Sequence, residues 1–362
     1  MKILLVSNMY PSSKHPSYGT FVKNSKGILE SKGMDVKVSV MTKKNSKWGK
    51  AAGYLWFYLA SFVKTLFRRY DIVYVHYPSL SAPPVIAASW FRSVHLYVNT
   101  HGSDVLAKNK KQRLVNSITS IAVKKAEKVL CPSSYFKKIV EQKYNLAPEK
   151  VAVFASGGVN SKTFSPNYNR EDAINEFNLS VPGEYVGFIG RLEPGKGWNT
   201  YLETMRKLTD RYGPRVKGIV IGDGSQRNLF HERVSELNLC SSIIHFEALS
   251  PEKLGRLMSC FDVFCFPTES ESLGLVGIEA LASGVPVVGS DISVLRSYIV
   301  HGKNGFLAEK NNPDSFYKSI IAILDMEEYE YESMKTEAVK TAEPFYQEHI
   351  EKDFINIFTR NN

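Results

Sequence analysis

The chain reads Val263-Phe264-Cys265-Phe266-Pro267-Thr268-Glu269-Ser270-Glu271-Ser272-Leu273-Gly274-Leu275-Val276-Gly277-Ile278-Glu279-Ala280, then Leu281-Ala282-Ser283-Gly284-Val285-Pro286-Val287-Val288. Its first four residues are an apolar run that reads as a buried strand. Pro267 ends the strand, a polar loop follows, and a helical pattern opens near Leu273-Gly274-Leu275. Gly284 closes that helix, and Pro286-Val287-Val288 begins another strand. Glu271 stands just before the helix and Glu279 within it. Between them lie the free backbone N–H groups of a helix N-terminus, which suit a phosphate. Two carboxylates would repel a phosphate and must face something else. Sugar hydroxyls at either end of a nucleotide diphosphate fit, because each carboxylate can accept two O–H bonds.

The same alternation extends outward in both directions. In the second half, strands are expected at Tyr185–Gly190, Lys217–Ile221, Ile243–Phe246, Asp262–Phe266 and Pro286–Val288. Arg191-Leu192-Glu193-Pro194-Gly195-Lys196-Gly197 leaves the first of these. Arginine grips phosphate oxygens in a planar fork and lysine supplies a compact positive charge, so Arg191 and Lys196 could offset a departing diphosphate. They could equally be solvated surface cations. Ile221-Gly222-Asp223-Gly224 is a second tight strand exit, where Asp223 can bond its own turn.

In the first half, strands are expected at Lys2–Ser7, Val36–Met41, Asp71–His76, His95–Thr100, Val129–Ser134 and Val151–Ala155. Such alternation with helices argues a doubly wound, parallel α/β domain. Gly19 sits where a polar loop meets a helix, which either permits close approach by a sugar or phosphate or serves the turn alone. His101-Gly102-Ser103-Asp104 ends a strand at the carboxyl edge, where open α/β sheets place ligands, and His101 could hydrogen-bond a substrate hydroxyl. Lys108, Lys110, Lys111 and Arg113 form a basic cluster just after it. Polar residues run to Asn178, placing a domain joint between 165 and 182.

One stretch fits neither pattern. Lys43, Lys44, Lys47 and Lys50 precede thirteen uncharged residues, Ala51–Val63, and Lys64 with Arg68-Arg69 follow. Leu55, Leu59, Phe62 and Leu66 mark one helical face, and Trp56, Val63 and Phe67 add a second apolar side. Thirteen residues are too few to span a bilayer. The segment reads either as a crossover helix covered by its neighbours or as a helix lying in a membrane surface, with Trp56, Phe57, Arg68 and Arg69 as the contacts.

Charge is divided unevenly. Residues 1–165 hold 26 Lys+Arg against 7 Asp+Glu, a net +19, while the rest is net −9 and the whole chain +10. The basic half suits a polyanion or an anionic membrane surface, or reflects solubility alone. Cys131, Cys240, Cys260 and Cys265 are widely spaced, with no Cys-x-x-Cys, so they read as reduced core residues. No Asp-x-Asp and no cluster with metal-ligand spacing occurs, so no metal and no cofactor is expected. The apolar run Ile3–Val6 is too short for a signal peptide, which points to the cytoplasm.

Taken in order, Gly190-Arg191-Leu192 with Lys196-Gly197, Ile221-Gly222-Asp223-Gly224 and Glu271–Ala280 resemble the retaining GT-B glycosyltransferases of family four, whose signature is Glu, seven residues, Glu. The resemblance spans nearly the whole chain and is most specific over 185–310. It implies an α/β fold of two Rossmann-like, doubly wound domains facing across a cleft. These are an acceptor-side domain at 1–170, a nucleotide-sugar domain at 180–340 and a helix at 344–362 crossing back to the first. It further implies that Glu271 holds the transferred sugar and that Ser272, Leu273, Gly274 and Leu275 meet the donor through backbone N–H groups. Glu279 would bind the ribose, Arg191 and Lys196 the diphosphate, and His101 the sugar from the other domain. Gly19 stands where relatives have paired glycines, and the base would lie beside Phe246-Glu247-Ala248.

The implied reaction moves a sugar from a UDP- or GDP-sugar to a saccharide or lipid-linked acceptor in bacterial polysaccharide or cell-envelope synthesis. The acceptor hydroxyl attacks the face from which the diphosphate leaves, and the leaving phosphate can act as base. The site of action would be the cytoplasm or the inner membrane face, with no nucleic-acid partner. Two other readings compete. A nucleotide-sugar epimerase could share this architecture, although the Glu271/Glu279 pair argues against it. A non-catalytic basic protein for membrane or nucleic acid would keep every activity after Glu271→Ala. A dinucleotide-binding dehydrogenase lacks the necessary Gly-x-Gly-x-x-Gly after the first strand.

Overall fold

The computed structural model describes residues 1–15, 18–107, 110–180 and 183–359, with the backbone alone for Lys111. Lys108 of the basic cluster and the Val181-Pro182 turn lie outside the described residues. The chain forms two compact units, Met1–Gly157 with Glu348–Asn362, and Gly158–Gln347. The division falls earlier than the joint expected at 165–182. Val159 and Gln347 explain this: Val159 N–H donates to Phe345 O and Gln347 N–H to Val159 O, tying residue 159 into the second unit.

The first unit has six parallel strands: β1 (Lys2–Tyr10), β2 (Asp35–Thr42), β3 (Ile72–His76), β4 (Leu96–Asn99), β5 (Lys128–Cys131) and β6 (Val151–Val153). Their order is β2-β1-β3-β4-β5-β6. β1 is buried from Ile3 to Asn8, its apolar run Ile3–Val6 being what a central parallel strand demands. Helix α1 (Thr20–Ser31) buries Val22, Ile28 and Leu29, and helix α2 (Lys47–Phe67) buries Phe57, Ser61 and Thr65. The last helix, Gln347–Thr359, brings Phe354 and Phe358 into a core with Ile3, Leu5, Tyr74 and Tyr97.

The second unit has another parallel sheet: β7 (Glu184–Ile189), β8 (Val216–Ile221), β9 (Ile243–Phe246), β10 (Val263–Phe266), β11 (Val287–Ser290) and β12 (Gly305–Ala308). The order β12-β11-β10-β7-β8-β9 reverses direction between β7 and β10, and the crevice outside the carboxyl ends of such strands receives ligands. β12 was not among the expected strands. It is a four-residue edge opened by Gly305, paired with β11 from Val287↔Gly305 onward.

Cys131, Cys260 and Cys265 are free and buried as expected, whereas Cys240 is exposed. It follows the helix Arg227–Glu236 in a turn, where no apolar face covers it.

Candidate functional site

The switch point of the second sheet assembles the opening motif. The loop after β7 carries Arg191 and Lys196, and the loop after β10 carries Thr268, Glu269 and Glu271. Glu269 N–H donates to Gly195 O across 3.0 Å, joining the two loops. Gly197, at φ +78°, caps the next helix, and a Cβ there would lie 1.9 Å from Pro267 O, so only glycine allows the loops this close. Lys196 Nζ consequently donates to Glu271 Oε1 at 2.6 Å, and Thr268 Oγ1 donates to the same oxygen at 3.1 Å. Arg191 is exposed and has no ion-pair partner among the described residues.

The helix after this loop spans Leu275–Ala282, with Gly274 (φ +81°) as its N-cap and no side chain capping it. Its first-turn amides carry the positive end of the helix dipole. Tyr298 is buried and braces the turn, its hydroxyl donating to Gly274 O at 3.2 Å. Ser272 is half-buried beside the turn and the Leu273 side chain is in the core, so Leu273 offers its backbone alone. One turn further, Glu279 has no hydrogen-bond partner for its carboxylate among the described residues, and burial pushes its pKa up to about 7. Glu247, the expected base-side residue, is exposed and paired with Arg227 at 2.5 Å. Asp223 Oδ1 accepts from Gly224 N–H, as its turn chemistry suggested. A cavity of about 630 Å³, lined by Arg170, Asp262, Val285 and Tyr331, opens at the opposite, amino ends of β10 and β11.

In the first unit the reversal lies between β1 and β3. His76 ends β3, and His101 follows β4 on the neighbouring strand. His76 Nδ1 and His101 Nε2 are 3.1 Å apart, sharing one proton between two imidazoles. His101 is stacked on Tyr77 at 5.4 Å and tilted against Phe21 at 4.3 Å. Burial lowers the His101 pKa to about 3 and depresses that of His76, so both rings are neutral. Asp104 closes the turn: its Oδ1 accepts from the N–H groups of His101 (2.9 Å) and Gly102 (2.8 Å). Burial outweighs these bonds and raises the Asp104 pKa to about 7. Gly19 caps α1 at φ +78°, and a Cβ on it would meet Met9 C at 2.7 Å. The glycine thus sets the loop's approach to β1 and puts Phe21 on His101.

The sequence reading did not single out His76, Phe21, Tyr77, Thr268 or Tyr298. His76 stood at a strand end beside the switch point, a signal that the strand order alone makes visible. Among the membrane-surface candidates, Trp56, Arg68 and Arg69 are exposed, but Phe57 is 2% exposed and packs in the core under α2. That assignment is corrected: Phe57 lies on the inward side of its helix. Among the described residues, no group of three or more His, Cys, Asp or Glu is placed to hold a metal ion.

A sequence model described as glycosyl transferases group 1 matches residues 169–341, and one described as glycosyltransferase family 4 matches residues 23–157. The D-inositol 3-phosphate glycosyltransferase of Corynebacterium urealyticum is 28% identical over 193 residues, 51% of this chain and 45% of that protein. The chain thus matches about half the length of that relative. An uncharacterized glycosyltransferase of Methanocaldococcus jannaschii is 23% identical over 302 residues, 80% of this chain and 75% of its own length. Among solved structures, sucrose-phosphate synthase from Thermosynechococcus elongatus superimposes with a TM-score of 0.82 at 17% identity, covering 99% of this chain and 98% of that one. Anabaena HepE in complex with UDP-glucose gives 0.76 at 18% identity, covering 99% and 100%. At these identities the likeness is one of fold.

Proposed function

Since the chain belongs to the group 1, family 4 glycosyltransferases, we propose that it is a retaining, metal-independent hexosyltransferase. It takes a sugar from a UDP- or GDP-sugar and delivers it to a saccharide or lipid-linked acceptor in bacterial polysaccharide or cell-envelope synthesis, at the cytoplasmic face of the membrane. The observation that carries this reading is the Lys196–Glu271 pair at 2.6 Å beside a helix N-terminus with no side-chain cap, with Glu279, unpartnered among the described residues, one turn on. HepE is described in complex with UDP-glucose and with UDP and glucose, which favours a nucleotide-linked donor.

In this reading the diphosphate sits on the first-turn amides of the helix Leu275–Ala282, and Arg191 and Lys196 offset its charge as it leaves. Lys196 has three donor hydrogens and spends one on Glu271, so phosphate and carboxylate can share it. Glu271 accepts hydrogen bonds from the transferred sugar, and Thr268 orients it. Glu279 accepts from the ribose hydroxyls. His101 offers one ring nitrogen to a substrate hydroxyl, its other nitrogen being held by His76. The acceptor oxygen bonds to the anomeric carbon as the carbon–phosphate oxygen bond breaks on the same face. The acceptor proton passes to the departing phosphate.

The test is a panel of UDP- and GDP-sugars with soluble and lipid-linked acceptors, read by nucleotide release, with the product's anomeric configuration assigned by NMR. A product whose configuration is inverted, or a chain that binds no donor at low-millimolar concentration, would overturn the proposal.

A further inference from the structure

Helix α2 turns a row of large apolar side chains away from the protein, while Phe57 packs inward. Its inward side is partly polar: Ser61 Oγ lies 2.9 Å from Ser39 Oγ, and Thr65 is buried beside them. On the opposite side Leu55, Trp56, Leu59, Val63 and Phe67 are 73, 71, 53, 42 and 75% exposed. At 3.6 residues per turn they form a stripe about 120° wide and about 18 Å long. The short helix Pro83–Ala88 packs beside α2, and Trp90 and Phe91 just after it are 73 and 71% exposed. Phe91 meets Phe62 edge-on, with ring centroids 6.4 Å apart, so the patch continues across both helices. Single exposed apolar side chains are ordinary, but a contiguous aromatic patch marks an interaction surface.

Its rim is basic. Lys47, Lys50, Arg68 and Arg69 are exposed at the two ends of the helix. Residues 43–92 contain eight Lys+Arg and one acidic residue, Asp71, whose carboxylate accepts from the Lys2 N–H at 2.6 Å. No helix among the described residues is long and apolar enough to cross a membrane. An apolar stripe bounded by cations on a helix that cannot span is the pattern of a helix lying in the bilayer interface.

We propose that this face docks on an anionic lipid bilayer, with α2 in the interface plane. Trp56, Leu59 and Phe67 enter below the headgroups, while Arg68 and Arg69 meet lipid phosphates. A second copy of the chain is a poorer occupant. A two-fold contact through this patch would set its cationic ends against each other, with a single acidic residue to offset them. The docking goes beyond the transfer reaction and is independent of the donor, because none of these residues belongs to the switch-point site.

Flotation of the full chain with phosphatidylcholine vesicles, with and without phosphatidylglycerol, tests it. The wild type floats with the anionic vesicles and not with the neutral ones. Trp56→Ser/Leu59→Ser/Phe67→Ser lowers partitioning by more than about tenfold, from the lost apolar burial. Arg68→Gln/Arg69→Gln lowers it roughly fivefold per cation and flattens its salt dependence. Thermal melting and nucleotide binding stay at wild-type values in both variants, which separates lost docking from a failed donor site or misfolding. A wild type that does not float, or an apolar-face variant that floats like it, overturns the proposal. So does a wild-type dimer that the triple variant converts to monomer without any vesicle binding.

Discussion

Lys196 Nζ rests 2.6 Å from Glu271 Oε1, so the residue assigned to the diphosphate and the residue assigned to the sugar neutralise each other in the free protein. Each is partly buried, at 27 and 17% side-chain exposure. Removing either one strands the other's charge, which makes the pair energetically coupled. Glu271→Gln is expected to cut kcat by about a hundred- to thousandfold, the usual effect of losing one preorganised transition-state contact. Lys196→Ala should raise the donor KM as well as lower kcat, because the cation meets the diphosphate before and during its departure. The double variant should lose less than the product of the two. Steady-state kinetics on the three proteins check this, and fully multiplicative losses would contradict coupling.

Glu279 predicts a pH dependence with a definite sign. Burial raises its pKa from 4.5 to about 7, so the folded protein keeps a proton that the unfolded chain releases. Its contribution to stability is therefore best below pH 4.5. It declines as pH rises towards 7, by about 3 kcal/mol in total. Glu279→Gln should remove this decline, melting above the wild type at pH 8 and level with it at pH 4.5. Ribose hydroxyls donate to the ionised carboxylate, so nucleoside diphosphate affinity should fall about fivefold from pH 7 to pH 6, as the ionised fraction drops from about one half to about one tenth. The glutamine variant should bind weakly, without that slope. Calorimetry across this range measures both.

The two histidines of the first unit predict a spectroscopic signature. With the His101 pKa at about 3 and that of His76 also depressed, the His101 ring should stay unprotonated between pH 5 and 8. The 3.1 Å contact couples the tautomers of the two rings, one nitrogen donating and the other accepting, so the ¹⁵N shifts of the two His101 ring nitrogens should differ by tens of ppm. His76→Phe should average them and lower kcat. His76→Asn, which places an amide near the lost Nδ1, should restore part of both. Stability should change by about 1 kcal/mol, the worth of one neutral hydrogen bond.

What the sequence made legible divides along physical lines. Central parallel strands such as β1 and β10 carry apolar runs of four residues, Ile3–Val6 and Val263–Phe266, and Glu271 and Glu279 lie in one local segment, so both could be read directly. β12 could not, being a four-residue edge opened by Gly305. Nor could the His76–His101 contact, which arises from strand order and not from any local pattern. Phe57 was misplaced because α2 is apolar nearly all round, and periodicity gives no orientation when the inward face carries Ser61 and Thr65. The hydroxyl pair Ser39–Ser61 satisfies one of these inward polar groups, Thr65 Oγ1 has no hydrogen-bond partner among the described residues, and the more hydrophobic side faces outward.

The last helix supplies a stability prediction. Phe354 stacks on Phe154 with ring centroids 4.0 Å apart, and Phe358 packs edge-on against Tyr74 at 5.2 Å. Phe354 is fully enclosed and Phe358 nearly so, within a core otherwise built from β1 to β5, α1 and Phe154. The first 157 residues thus leave a cavity that residues 348–359 must fill. Phe354→Ala should destabilise the first unit by about 3–5 kcal/mol, whereas Phe354→Leu should cost much less, since most of the volume is kept. Nucleotide binding to the second unit should survive Phe354→Ala at temperatures where that unit remains folded. Urea titration followed by tryptophan fluorescence, alongside nucleotide binding, separates the two. Equal stability of the alanine variant and the wild type would show that the helix only decorates this core.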